Sequence, residues 1–143
     1  MQDGDLVIAM DRTWVSNGLK VSQVNKADLP CYLVQRVSRL RTKDSFSQSL
    51  LKHLFSSYRF EQYVKGVQTD SVVPHISSKQ IQEFLIAAPP IKEQQEIAKI
   101  LSTTDRKLNH LTTQKSQTQQ LKKGLMQKLL TGQIRVKPEP QDH

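Results

Sequence analysis

The sequence predicts an α/β fold, a small sheet with a helix, followed by a long coiled-coil α-helix, and three observations predict it. Short apolar runs bounded by turn residues, at 5–10, 19–24, 32–37 and 84–87, have the length of strands. Between them, residues 44–66 change period and keep Phe46, Leu50, Leu51, Leu54, Phe55, Tyr58 and Tyr63 on one broad helical face. From Ile97 the apolar or small positions are Leu101, Thr104, Leu108, Leu111, Lys115, Thr118, Leu121, Leu125 and Leu129, mostly alternating steps of four and three. That is a coiled-coil seam.

Taken in order, residues 5–10 read as a buried strand. A loop at 11–17 carries Arg12, Trp14 and Asn17 and ends at Gly18, and 19–24 alternate as a second strand. Residues 25–30 make a turn, and 32–37 form a third strand that runs out into 38–43. Asp44 or Ser45 caps the helix, which ends at Gly66. Residues 67–74 are turn-like, Ser77 or Ser78 caps a short helical turn through Ile81, and 84–87 form the last strand.

Pro89 and Pro90 suit the start of the long helix, Glu93 and Glu96 sit where its dipole favours anions, and Lys122, Lys123 and Lys128 load the other end with cations. Gly132 supplies the stop. A helix of roughly 40 residues would be on the order of 60 Å long, more than a small domain covers, so it needs a partner. Lys115 and Thr118 are polar at seam positions and help fix register. The division expected is 1–88 for the α/β domain, 89–131 for the helix and 132–143 for a C-terminal tail, disordered beyond Val136.

The net charge of +8 calls for an anionic partner, nucleic acid or membrane. Residues 1–90 hold 11 Lys/Arg against 8 Asp/Glu, and 91–136 hold 9 against 3, so the helix is the most basic part. No apolar run approaches the length of a membrane span and residues 1–5 are no signal peptide, so a soluble, cytoplasmic protein is expected. Cys31 is the only cysteine, which excludes an internal disulfide and a cysteine metal cluster. The four histidines are scattered, glycine-rich phosphate loops are absent, and no nucleophile has a local base. The residues therefore point to no catalytic site, no metal and no cofactor.

Arg36, Arg39, Arg41 and Lys43 leave one predicted strand together beside Gln35. Cations suit phosphates and the arginine fork suits guanine, although the same run also reads as a solvated face. Alternation puts Arg39 and Arg41 with Gln35 on the DNA-facing side and Arg36 on the other, in a structural role. Arg12 and Asn17, on the 11–20 loop, join Gln35, Arg39, Arg41 and Lys43 as candidate DNA contacts. Trp14 reads either as a DNA contact or as a core anchor. Ile97, Leu101, Leu108, Leu111, Leu121, Leu125 and Leu129 are the candidate dimerisation residues.

Four segments carry a family likeness. Residues 75–101, HISSKQIQEFLIAAPPIKEQQEIAKIL, resemble the exit from a target-recognition domain in the specificity subunit of type I restriction-modification systems. Residues 121–135, LKKGLMQKLLTGQIR, resemble the end of that family's spacer helix, and GDLVIAM at 4–10 and YLVQRV at 32–37 resemble its recognition-domain strands.

The resemblance implies a non-catalytic half-repeat: a recognition domain on double-stranded DNA, and a helix that packs antiparallel against a second copy or a second specificity half. It implies docking to modification subunits, which supply methylation with S-adenosylmethionine, and to restriction subunits, which use ATP. It also implies further recognition-domain sequence before residue 4, so a half-length or truncated subunit with a partial domain is expected. The other reading is a helical assembly module that binds such subunits without reading DNA.

Overall fold

The structure, a computed structural model, describes residues 1–15, 18–69 and 73–137. In chain order its elements are β1 (Leu6–Ala9), β2 (Trp14–Val15), β3 (Gly18–Leu19), β4 (Val21–Gln23), β5 (Val37–Leu40), α1 (Gln48–Phe55), α2 (Tyr58–Val67), α3 (Ser78–Gln82) and α4 (Ile91–Leu130). They divide between two units, residues 1–101 and 102–143. The α/β class and the long helix are as predicted.

Within the first unit, Leu6 and Ile8 are buried while Val7 and Ala9 are only half-buried, so β1 turns one face to the core. It is the centre of an antiparallel sheet of order β4-β1-β5, with Leu6 opposite Gln23 and Leu40, and Ile8 opposite Val21 and Ser38. Leu51 and Phe55 from α1, Phe60 and Val64 from α2, Ile81 from α3, and Ile76 and Phe84 complete the core against Leu6 and Ile8. The helices thus contribute to the Leu6 and Ile8 face.

Five expectations are corrected. The third strand lies at Val37–Leu40 rather than 32–37, because the Met10 amide donates to the Arg36 carbonyl and Arg36 turns to φ 65° just before the ladder begins. Tyr32, Leu33 and Val34 are exposed instead. The single helix at 44–66 is two helices: the Ser57 hydroxyl donates to the Leu54 carbonyl and accepts from the Phe60 amide, ending one helix and capping the next. That break folds Phe60 back onto Phe55, with ring centroids 4.3 Å apart. The first cap is Ser47, not Asp44 or Ser45.

The segment 84–87 has no ladder. Phe84 turns into the aromatic cluster, 4.9 Å from Phe60 and 5.2 Å from Tyr63, and burial replaces pairing. Part of the predicted 11–17 loop is strand, since β2 pairs with β3, Trp14 opposite Leu19 and Val15 opposite Gly18. Asn17, residues 70–72 of the expected loop and the tail from 138 lie outside the described residues.

The long helix begins as predicted after Pro89 and Pro90. Gln94 and Ala98, one turn apart, are its buried residues. Gln94 Oε1 accepts from the Ser47 amide at 2.8 Å, and Nε2 donates to the Pro89 carbonyl at 2.7 Å and the Ser45 carbonyl at 3.3 Å. In the second unit the helix runs on to Leu130. Gly132 at φ 74° closes it as expected, donating to the Leu129 carbonyl, while the Ile134 amide reaches Lys128.

Gly18, at the start of β3, lies close to Glu61 of α2. Its φ is 119°, and a Cβ there would lie 2.7 Å from Glu61 Oε1. Gly18→Ala should cost on the order of 1–3 kcal/mol, the range for backbone held in a sparsely populated region. Glu61 can swing aside, so adding Glu61→Ala should return little of that loss in urea denaturation. Full recovery in the double variant would make the contact, rather than the backbone, the cause.

Candidate nucleic-acid interface

The basic run that is contiguous in sequence is not contiguous in space. β5 separates it: four extended residues cover about 13 Å. Arg36 lies where β1 ends, through the 2.8 Å bond from Met10 to its carbonyl, and Arg41 lies where β1 begins, against Asp5. Arg39, opposite Val7, is exposed between the two ends, and Gln35 and Lys43 are exposed beyond the strand.

Arg41 holds Asp5 with both prongs, Nε to Oδ1 at 2.7 Å and a terminal nitrogen to Oδ2 at 2.8 Å. The Asp5 side chain is only 2% exposed and also accepts from the Gln2 amide. The Arg41 hydrogen bond, against the opposing effect of burial, keeps the Asp5 carboxyl below its usual range, and the same bond raises Arg41. Next to the pair, Gln48 donates to the carbonyls of Gly4 and Leu40 and accepts from the Thr42 amide. An open cleft of about 340 Å³ lies here. Its arginine is already committed to a carboxylate.

The opposite end of the sheet is built from three segments. The Arg12 amide donates to the Pro74 carbonyl, the Ile76 amide to Met10, and the Met10 amide to Arg36, so the end of β1 is clamped between 36 and 74–76. At the centre is Asp11. Its Oδ1 lies 2.5 Å from His75 Nδ1 and its Oδ2 3.5 Å from Arg36 Nε. Arg12 and Arg36 are the two non-glycine residues with positive φ among those described, at 44° and 65°. The side chains of Arg36 and His75 are 65% and 33% exposed.

Trp14 settles as an anchor: its Nε1 donates to Gln68 Oε1 at 3.0 Å, the ring packs on the core, and Lys65 Nζ lies 5.1 Å from the ring centre. Of the predicted DNA contacts, the structure brings Arg12 close to the junction that holds Arg36, leaves Arg39 on the sheet, and puts Arg41 and Lys43 at the far end. Sequence reasoning missed Asp5, Asp11 and His75 as partners. Asp5 pairs across the sheet with Arg41 one step beyond the Leu6–Leu40 register, a signal visible only once β5 is aligned. Among the described residues no three His, Cys, Asp or Glu side chains are placed to hold a metal, and no helix is long and apolar enough to cross a membrane.

The model of the type I restriction modification DNA specificity domain matches residues 2–122. The chain is 33% identical over 123 residues, 83% of its length, to the type I restriction enzyme EcoAI specificity subunit of Escherichia coli. It is 29% identical over 138 residues, 96% of its length, to the MjaVIII specificity subunit of Methanocaldococcus jannaschii. These matches cover 21% and 32% of the two relatives, so the chain spans a fifth to a third of their length.

The Asp5–Arg41 pair sets a pH dependence. The carboxyl is depressed in the folded state, so its contribution is complete above about pH 4, the unfolded carboxylate value, and drains away as pH falls through the lower folded value. Arg41→Met leaves a buried carboxylate unpaired. The variant should lose stability at pH 7, and the gap to wild type should narrow at pH 3 in urea melts. An equal gap at both pH values would separate the loss from the charge on Asp5.

Proposed function

The chain belongs to the type I restriction-modification DNA specificity domain family, and from that premise we propose that it reads one half of a bipartite DNA target without catalysing any reaction. Residues 1–88 would meet the duplex, 89–131 would pair with a second specificity helix and dock modification subunits, and 132–143 would be the tail. The observation that carries DNA reading is the convergence of Arg12, Arg36 and His75, with exposed Gln35 beside them, at one end of the sheet.

The chemistry follows from charge and geometry. Cations on phosphates release counterions and supply affinity without sequence information, while donors at base edges supply discrimination. Arg39 and Lys43, exposed away from that convergence, suit phosphate contact. Arg41 serves the interface by holding the strand end to Asp5. Asn17, outside the described residues, keeps its assignment as a DNA contact. Methylation with S-adenosylmethionine and ATP-dependent restriction would belong to partner subunits.

The helix supports the pairing half of the proposal. Ile97, Leu101, Leu108, Leu111, Leu121, Leu125 and Leu129 are between 36% and 63% exposed. A Cβ on Gly124 would meet nothing within 4 Å in this chain, which leaves room for a second helix to approach. The same exposed seam favours the second reading, an assembly module that binds restriction-modification subunits without reading DNA.

Two measurements separate these readings. Titrating the full chain with duplex DNA over a salt series should give a steep salt dependence, and Arg39→Ala should weaken binding to all sequences and lower the slope by about one unit. No binding at low salt would leave the assembly reading. Light scattering should show self-association at tens of micromolar, abolished by Leu108→Asp. A monomer unaffected by that substitution would remove pairing with itself and leave a heteromeric partner.

A further inference from the structure

The Asp11 carboxylate uses both oxygens on cationic or donor groups of its own chain, one on His75 Nδ1 and one on Arg36 Nε. A carboxylate near a polyanion lowers affinity through repulsion, and an exposed ion pair contributes little stability in return. Its position makes sense if the arginine it holds must point one way. The Arg36 backbone is fixed independently, by the 2.8 Å bond from Met10 to its carbonyl and by φ 65°. The carboxylate meets the guanidinium at its inner nitrogen, Nε, while the side chain stays 65% exposed. The two terminal nitrogens of the exposed guanidinium are a planar pair of donors of the kind that matches O6 and N7 of guanine in the major groove.

We infer that Arg36 reads a guanine in the DNA target, that Asp11 is the positioning residue that aims it, and that His75 holds Asp11 in turn. This rests on the DNA-reading function proposed above and adds the base recognised and the residue that recognises it. It also reverses the sequence-based division of labour, which gave Arg36 the structural role and Arg41 the DNA. The geometry gives Arg41, 40% exposed, a two-pronged hold on a buried carboxylate, and leaves Arg36 the more exposed guanidinium at 65%.

The test uses the full chain and a duplex chosen by selection from a randomised pool. Replacing each guanine in the selected site by 7-deazaguanine, which removes the N7 acceptor, should weaken wild-type binding at one position more than at any other. Arg36→Lys keeps the charge but loses the fork. It should retain the salt slope while discrimination against a changed base pair at that position falls roughly 5- to 150-fold.

Asp11→Asn removes a negative charge and the aim together. It should bind scrambled duplex more tightly than wild type and discriminate less at the same position, a pair of opposite changes that loss of folded protein cannot produce. Thermal melts of both variants identify any loss of fold. A sequence-selective wild type whose Arg36→Lys variant keeps full discrimination overturns this assignment alone. So does an Arg36→Lys variant whose only change is uniform weakening, which would make Arg36 a phosphate contact. A wild type that selects no sequence removes the DNA-reading function and this assignment with it.

Discussion

The start of the long helix depends on one buried amide. Gln94 is 1% exposed, and its side chain bonds the Ser47 amide and the carbonyls of Ser45 and Pro89. A leucine there could bury as much surface but would accept several packings, whereas three directed bonds fix one. Because Ser47 is also the cap of α1, the first turns of α4 and the first turn of α1 are set by the same few atoms. Gln48 ties α1 to the carbonyls of Gly4 and Leu40, and Gln80 ties α3 to the carbonyl of Val67. A domain with few buried apolar side chains thus gains definition from glutamine amides that satisfy backbone groups near the ends of elements.

The two ends of β1 carry the same chemistry in different settings. Each has an aspartate facing an arginine from the β5 side of the sheet. At Asp5 the carboxylate is buried and the fork closes on it from both prongs, so the charge is used up within the protein. At Asp11 the groups are more exposed, and Arg36 Nε lies 3.5 Å from the carboxylate rather than closing on it with two hydrogen bonds. The burial of the carboxylate, rather than residue type, is what distinguishes the two pairs.

How much of this was legible in the sequence follows from what periodicity can carry. The first strand was readable as a short unbroken apolar run after Gly4, the long helix because its apolar spacing repeats over many residues, and Gly132 marked the helix end. The third strand was misplaced because Tyr32, Leu33 and Val34 look like strand residues, while the segment that pairs with β1 is Val37–Leu40, set by register with Leu6 and Ile8. Ser56 and Ser57 gave only a local signal for a break that Phe55 and Phe60 exploit through packing. The candidate interface was half legible. Basic residues could be counted, but an extended strand carries neighbours in sequence to opposite ends of a sheet. The role of Asp11 depends on residues 25 and 64 positions away.

The backbones of Arg12 and Arg36 have a consequence for how this domain can change. A side chain in the left-handed region costs about 1–2 kcal/mol relative to the right-handed form, a cost glycine escapes. Glycine at either site would therefore relieve the turn, at the expense of greater freedom in the unfolded chain. Were the arginines idle, the easiest substitutions toward a sturdier fold would be open there. If they face DNA, those same substitutions erase what the domain reads, and gains in robustness must be found elsewhere. The two turns would then be where selection for durability and selection for recognition pull in opposite directions.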